Sequence, residues 1–274
     1  MSALLQAPGS ACAVIAESVN GFDQVDLAGM NACARLQTRV DRKYVLPAAS
    51  VADIVAAVDR AVGVRVLDVD GCRVQPYESC YFDTPDGVLF RQASTARRRR
   101  MKVRLRHYAN SSACFAEVKL RGVRGVTAKS RVPCAVDFPA VGAGFSLGDL
   151  DDAASAWVTD EVRRCELIVA DELSAVLWGG YHRATLLVGD GQQRMTIDAG
   201  VSFADAHGAV CAPDAVVVET KSGSKPGAAD VALWRAGFRD VRLSKFGVGM
   251  CALNPGAPSN RWRRGKGLLG LVAV

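Results

Sequence analysis

The chain has 274 residues, half of them hydrophobic and 23% charged, with 34 basic and 28 acidic side chains giving a formal net charge of +6. This composition excludes a mainly disordered chain, and the length suits one large domain or two small ones. No apolar run nears the roughly 18–20 residues that span a bilayer, and no basic stretch precedes the first apolar one, so a cytoplasmic protein without a secretory signal is expected.

Residues 1–34 have no clear period and read as a loosely held extension. Leu36–Leu46 reads as a strand stopped by Pro47, and Ala48–Val62 as a helix with Val51, Ile54, Val55 and Val58 at helical spacing behind a Ser50 cap. A strand over Cys72–Phe82, a turn at Thr84–Gly87 and a short helix over Val88–Ala93 follow. Arg100–Tyr108, Ala113–Leu120 and Val126–Val136 form an expected antiparallel meander. A helix over Asp151–Val169, opened by acids, precedes strands at Trp178–Val188, Gln193–Phe203 and Ala215–Lys221. A helix at Ala229–Ala236 and a last strand at Asp240–Phe246 complete the series. The domain plan is therefore an extension (1–34), one domain (35–253) and a basic, loop-like tail (254–274). The nine cysteines lack zinc-knuckle spacing and read as buried thiols of a reducing compartment.

A strand shows alternate residues to opposite faces. Lys102, Arg104 and Arg106 therefore share a face, as do Glu117 with Lys119, Lys129 with Arg131, Glu219 with Lys221, and Arg194 with Asp198. Arg39, Asp41 and Lys43 group likewise, while the opposite faces are apolar at Val103, Leu105, Val118, Val132, Ile197 and Val218. In an ordinary sandwich the charged faces meet water. If about eight strands close into a barrel, those faces line the interior and helices cover the apolar outside. Such a lumen is sensible only when water, metal and a polyanion fill it, because uncompensated buried charge is costly. Asp198 then either ligates a metal or pairs with a lumen arginine. Arg97–Arg99 read as a solvated turn or as an entrance funnel for polyanions. His107 and His182 fall opposite the arginines, which argues against a phosphohistidine mechanism, and Tyr44 and Tyr181 read as structural.

The segments TRVDRKYVLP, YFDTPDGVLF, RRMKVRLRHY, FAEVKL, TAKSRV, GYHRATL, MTIDAGVSF, VVVETK and RLSKFGVGM occur in this order between about Leu36 and Met250. Together they resemble the polyphosphate-polymerase (VTC) domain of the vacuolar transporter chaperone group and its bacterial relatives, among the triphosphate tunnel metalloenzymes. The resemblance implies an α+β fold, an antiparallel eight-stranded β-barrel (the triphosphate tunnel) with flanking helices. It carries phosphate-binding roles onto Lys43, Arg104, Arg106, Lys119, Lys129, Arg183, Lys221 and Lys245, with Arg242 as an addition, and a metal-binding role onto Glu219. Glu117 is a candidate helper. Where the related CYTH branch opens with E-x-E-x-K, this chain has Arg39, Asp41 and Lys43, which favours the polymerase-like branch.

The implied activity is a Mn²⁺- or Mg²⁺-dependent phosphotransferase that extends inorganic polyphosphate from the terminal phosphate of ATP or another nucleoside triphosphate. Two rivals remain: a triphosphate or short-polyphosphate hydrolase using the same residues, and a non-catalytic polyphosphate-binding module. Nucleic acid is not expected as a partner, given 7% aromatic residues. Translocation of a product would need a separate membrane partner.

Overall fold

In the computed structural model, which describes residues 10–33, 40–122, 127–138, 141–165, 173–191 and 193–274, the chain opens with α1 (Ser10–Val19), β1 (Asp23–Val25) and α2 (Leu27–Cys33). There follow β2 (Val40–Pro47), α3 (Val51–Val62), β3 (Val64–Leu67), β4 (Val74–Asp83) and α4 (Val88–Ser94). The meander is β5 (Arg100–Tyr108), β6 (Ala113–Arg121) and β7 (Thr127–Pro133), then α5 (Asp152–Arg163). Next come β8 (Ser174–Val188), β9 (Gln193–Ala204), β10 (Ala209–Cys211) and β11 (Ala215–Ser222). The chain finishes with α6 (Ala228–Arg235), α7 (Lys245–Leu253), α8 (Arg263–Leu269) and β12 (Val272–Ala273). The expected strand residues Leu36–Arg39 and Val126, and the helix end after Cys165, lie outside the described residues.

Local chemistry accounts for most of these elements. In α3 the four residues at helical spacing are all buried, as expected, and Asp53 sits in the first turn. Ser50 holds the N-cap position without a side-chain capping bond, because the chain enters from a 3₁₀ turn and leaves Ser50 in the helical region (φ −82°, ψ −8°). The acid at the head of α5 does cap: Asp151 accepts from the Ala154 N–H at 2.9 Å. Gly87, at φ +71°, closes the turn into α4 in a conformation that other residues resist.

Eight strands form one antiparallel path in the order β2-β11-β9-β8-β4-β5-β6-β7. The short strands extend its margins: β3 pairs with β8, β1 runs parallel to β3, and β10 and β12 continue beyond β9. Apolar faces turn outward into helix layers. α1, α3 and α6 cover Tyr44, Leu46, Ala184, Ile197, Val216 and Val218, while a second apolar cluster holds Val103, Leu105 and Val118 together with residues of α4, α5 and α7. The charged faces therefore turn into the concave side, the arrangement expected of a barrel.

The barrel is not closed by strand pairing: among the described residues β2 and β7 form no ladder with each other. Residues 240–244 lie beside β2 and reach β5. Val241 N–H donates to the Lys43 carbonyl at 2.7 Å, and Lys102 Nζ on β5 donates to Ser244 Oγ at 2.7 Å. The strand expected at Asp240–Phe246 is thus replaced by an irregular segment and the start of α7. The cause is local: Ser244 Oγ accepts from Gly247 N–H at 3.1 Å and caps a helix there. Described residues before β2 and after α7 pack on the domain. Ile15 and Val19 of α1 are fully buried, and Trp262 and Leu269 bury against the domain. The nine cysteines are free thiols, with Cys33, Cys72 and Cys211 half-buried and the rest buried. Among the described residues no helix is long and apolar enough to cross a membrane.

Candidate functional site

Alternation along each strand delivers the site's side chains to the concave wall, and three carboxylates there are each gripped by two cations. Glu117 on β6 accepts from Arg104 at 2.7 Å (Nε) and 2.5 Å (Nη2), and from Lys129 Nζ at 2.6 Å. Asp198 on β9 takes a two-pronged contact from Arg183 on β8, at 2.5 and 2.8 Å, and pairs with Lys245 at the head of α7. Glu219 on β11 lies 2.9 Å from Lys43 on β2 and 3.3 Å from Lys221. Glu117 and Asp198 are 2% and 1% exposed, a depth at which unpaired carboxylates would be protonated. Burial pushes both acids up, but Arg104 and Lys129, and Arg183 and Lys245, outweigh it and hold each at about 2. Glu219 follows the same logic: burial raises it, and Lys43 with Lys221 keeps it well below the usual range.

Cations outnumber these acids. Lys102 faces Lys119 directly in the β5–β6 register, and Lys119 faces Lys129 in the β6–β7 register. Burial pulls the Lys102 ammonium well below the usual lysine range, and Lys119, Lys43, Arg104 and Arg100 add repulsion. Burial also lowers Lys119, with Lys43 next in weight. Lys43 and Lys119 sit near opposite ends of the strand order, so their mutual repulsion reports how far the sheet curls. Arg106 is 5% exposed and hydrogen-bonds Tyr181.

An aromatic floor orients the guanidinium groups. Tyr77 and Tyr181 stack at 5.4 Å with planes 4° apart. Arg106 lies 5.4 Å from each ring centroid, Arg183 5.3 and 5.0 Å from them, and Lys245 4.1 Å from Tyr181. Burial pushes the Tyr181 phenol up, but Arg106, Arg183 and Lys245 bring it down to about 8.

On the outer side of the same wall, fully buried Asp230 of α6 gathers five groups. It accepts from Tyr44 at 2.8 Å, Thr220 at 2.5 Å, Gly227 N–H at 2.8 Å, and Arg42 and Ser222 at 3.3 Å. Tyr44 neighbours Lys43, while Thr220 and Ser222 flank Lys221, so Asp230 fixes from behind the strands that carry Lys43, Glu219 and Lys221.

Lys43, Arg104, Arg106, Lys119, Lys129, Arg183, Lys221 and Lys245 thus meet in one lumen with the three acids. Arg242 lines a cavity of about 370 Å³ at the ends of β5 and β6, the mouth, together with Lys43 and Lys119 of that group and with Asp41, Lys102 and Trp262. Arg97–Arg99 are exposed and off that cavity; Arg99 donates to the Cys165 carbonyl at 2.7 Å. His107 sits on the outer face as expected, 2.9 Å from Glu78. Sequence reasoning gave no role to Lys102, although alternation grouped it with Arg104, and it read Tyr181 as structural only. Asp230 carried no sequence signal.

Among the described residues a divalent cation would find few protein ligands. No three carboxylate, histidine or cysteine side chains gather among the described residues. All three lumen carboxylates are ion-paired, and Glu219 differs from the other two in what it faces. Glu219 faces Thr196 in the β9–β11 register, and Thr196 Oγ1 is a buried hydroxyl without a hydrogen-bond partner. A cation at Glu219 would take one carboxylate from the chain and most of its shell from phosphate oxygens and water, a common pattern for Mg²⁺.

The family model of the VTC domain matches residues 38–254. No curated protein matches the chain. Among solved structures, the Hippeastrum protein HpAC1, described as having a dominant triphosphatase activity, is 17% identical, with 78% of this chain and 96% of that one covered at a TM-score of 0.46. The PH1819 protein of Pyrococcus horikoshii is 11% identical, with 76% and 97% covered at a TM-score of 0.37. Likeness at this level carries nothing about activity.

Proposed function

Because the chain belongs to the VTC domain family over residues 38–254, we propose that it is a metal-dependent phosphotransferase that extends inorganic polyphosphate from the terminal phosphate of ATP. The observation that carries this reading is the surplus of converging, mostly half-buried cations in the lumen, which a chain of phosphates would neutralise. Arg104 and Arg106 hold non-bridging oxygens as planar forks, while Lys43, Lys102, Lys119, Lys129, Lys221 and Lys245 act as movable point charges. Two unit charges 4 Å apart attract by about 4 kcal/mol at an effective dielectric near 20, so several such contacts offset the desolvation of the anion.

Arriving phosphates draw Lys43 and Lys221 away from Glu219 and free its oxygens for a divalent cation, Mg²⁺ or Mn²⁺. When bound, that cation supplies positive charge against the transferring phosphoryl group. The side chains then hold donor and acceptor in line. A terminal oxygen of polyphosphate forms a bond to the γ-phosphorus, the bond from γ-phosphorus to the bridging oxygen breaks, and ADP leaves with that electron pair. Positioning and charge stabilisation suffice for this step without a protein nucleophile. Movement of the product across a bilayer would fall to a separate membrane protein.

The test is incubation of the purified chain with ATP and Mn²⁺ or Mg²⁺, with and without a polyphosphate primer, reading products by gel and ³¹P NMR. A phosphate ladder is expected, and it should disappear in Glu219→Gln while tripolyphosphate binding persists. Orthophosphate without a ladder would replace this reading with a hydrolase. Tight binding without either product would leave a polyphosphate-binding module.

A further inference from the structure

At the mouth, by the ends of β5 and β6, the cavity that Lys43, Lys102 and Lys119 line also carries four arginines. Arg100 on β5, Arg121 on β6, Arg242 in the 240–244 segment and Arg261 in the turn before α8 all line the cavity there. Arg100 and Arg121 stand directly opposite each other in the β5–β6 register, where like charges destabilise a ladder. The next inward pair, Lys102 and Lys119, repeats the conflict, and only the third, Arg104 and Glu117, resolves it. Burial lowers the Arg100 guanidinium, with repulsion from Arg121 and Arg261 adding to it, and Arg261 is lowered by burial and then by Arg242 and Arg121. The four cations therefore lie within electrostatic reach of one another. The acids on the cavity wall are Asp41 and Asp240.

One of the four belongs to a segment beyond the family match, which ends at residue 254, and that segment is firmly seated. The Trp262 ring is 3% exposed, lies 5.9 Å from Phe90, and covers Gly247 so closely that a Cβ there would collide with it. A Cβ on Gly265 would come within 3.1 Å of the Arg242 carbonyl, and Lys266 Nζ donates to the Cys251 carbonyl at 2.7 Å. Arg261 is thus held at the mouth by the packing of its neighbours.

We infer that Arg100, Arg121, Arg242 and Arg261 form a second anion site, which holds the part of a linear inorganic phosphate chain that extends beyond the triphosphate end in the lumen. The segment after residue 254 is then a substrate-binding element, and chain length is sensed at the mouth. This rests on the reading of the lumen as a phosphate site.

The experiment measures binding of tripolyphosphate and of long-chain polyphosphate to the full chain by calorimetry, without nucleotide, for the native protein and for Arg121→Gln/Arg261→Gln. The double variant should lose about tenfold in affinity for the long chain, with a shallower salt dependence, and less than about twofold for tripolyphosphate. Equal losses on both ligands, or none on either, would overturn the mouth site and leave the lumen reading intact. Failure of the native protein to bind either ligand would overturn both. If the double variant does not fold, the single variants carry the test, each losing about threefold on the long chain alone.

Discussion

Glu117 shows what holds the lumen together. It is almost fully buried, and both its oxygens serve as counter-charge for Arg104 and Lys129. Glu117→Gln leaves those cations facing each other, and loss of one partner from a buried pair costs about 3–5 kcal/mol. The expected loss is near the lower end, because Lys129 is 45% exposed. Chemical denaturation should show that loss, and tripolyphosphate should restore much of it, since the anion supplies the missing charge. Lys102 gives the complementary prediction. Its ammonium is held well below the usual lysine range by burial and then by Lys119, Lys43, Arg104 and Arg100. Phosphate binding reverses that repulsion and raises the bound-state pKa. The sign follows: this contribution to affinity is complete below the free-state pKa and is lost as pH rises through the bound-state pKa. Calorimetry in buffers of different ionisation enthalpy should record proton uptake on tripolyphosphate binding, diminished in Lys102→Met.

At the scale of elements, β2 and β11 act as one plank pinned by α6. Asp230 joins the two strands through Tyr44 and Arg42 on one side and Thr220 and Ser222 on the other. Asp230→Ala strands several buried polar groups, each costing about 1–3 kcal/mol when unsatisfied. A stability loss of about 3–5 kcal/mol is expected, and tripolyphosphate should not reverse it fully, which separates this residue from Glu117. Its role was illegible in the sequence because its partners lie between 3 and 188 positions away. The misread strand at 240–246 has a different cause. Val241, Leu243 and the intervening polar residues alternate as a strand does, yet Ser244 caps a helix that close packing demands. A Cβ on Gly249 would meet Leu177 at 2.7 Å and Phe203 at 2.8 Å. Period-2 patterning and helix capping competed over these few residues, and capping with tight glycine packing prevailed.

For the whole molecule, alternation fixes which residues share a face but not which face is inside. The charged sides of β5, β6, β8, β9 and β11 were legible from spacing alone, and so was most of the strand inventory. Their convergence was not, because it depends on the sheet's curl, which brings Lys43 within reach of Lys119. The resemblance to a known family supplied that step. Neither spacing nor resemblance set the chain's end beside the lumen: Arg261 reads as part of a basic, loop-like tail, and its place follows from the packing of Trp262 against Gly247 and Phe90.

The junction between β2 and β7 sets this molecule apart from a sealed cylinder. A ring of ladders on every side fixes its girth, since widening it anywhere breaks a row of hydrogen bonds. Here the open side is fastened to 240–244 by a few contacts, among them one backbone hydrogen bond from Val241 to Lys43 on β2 and one from Lys102 on β5 to Ser244. The wall is hooped like a cuff with a clasp rather than a pipe. A swelling occupant would loosen the clasp, and the residues that would feel it first, Lys43, Lys102 and Ser244, are the ones that line the cavity beside Arg242.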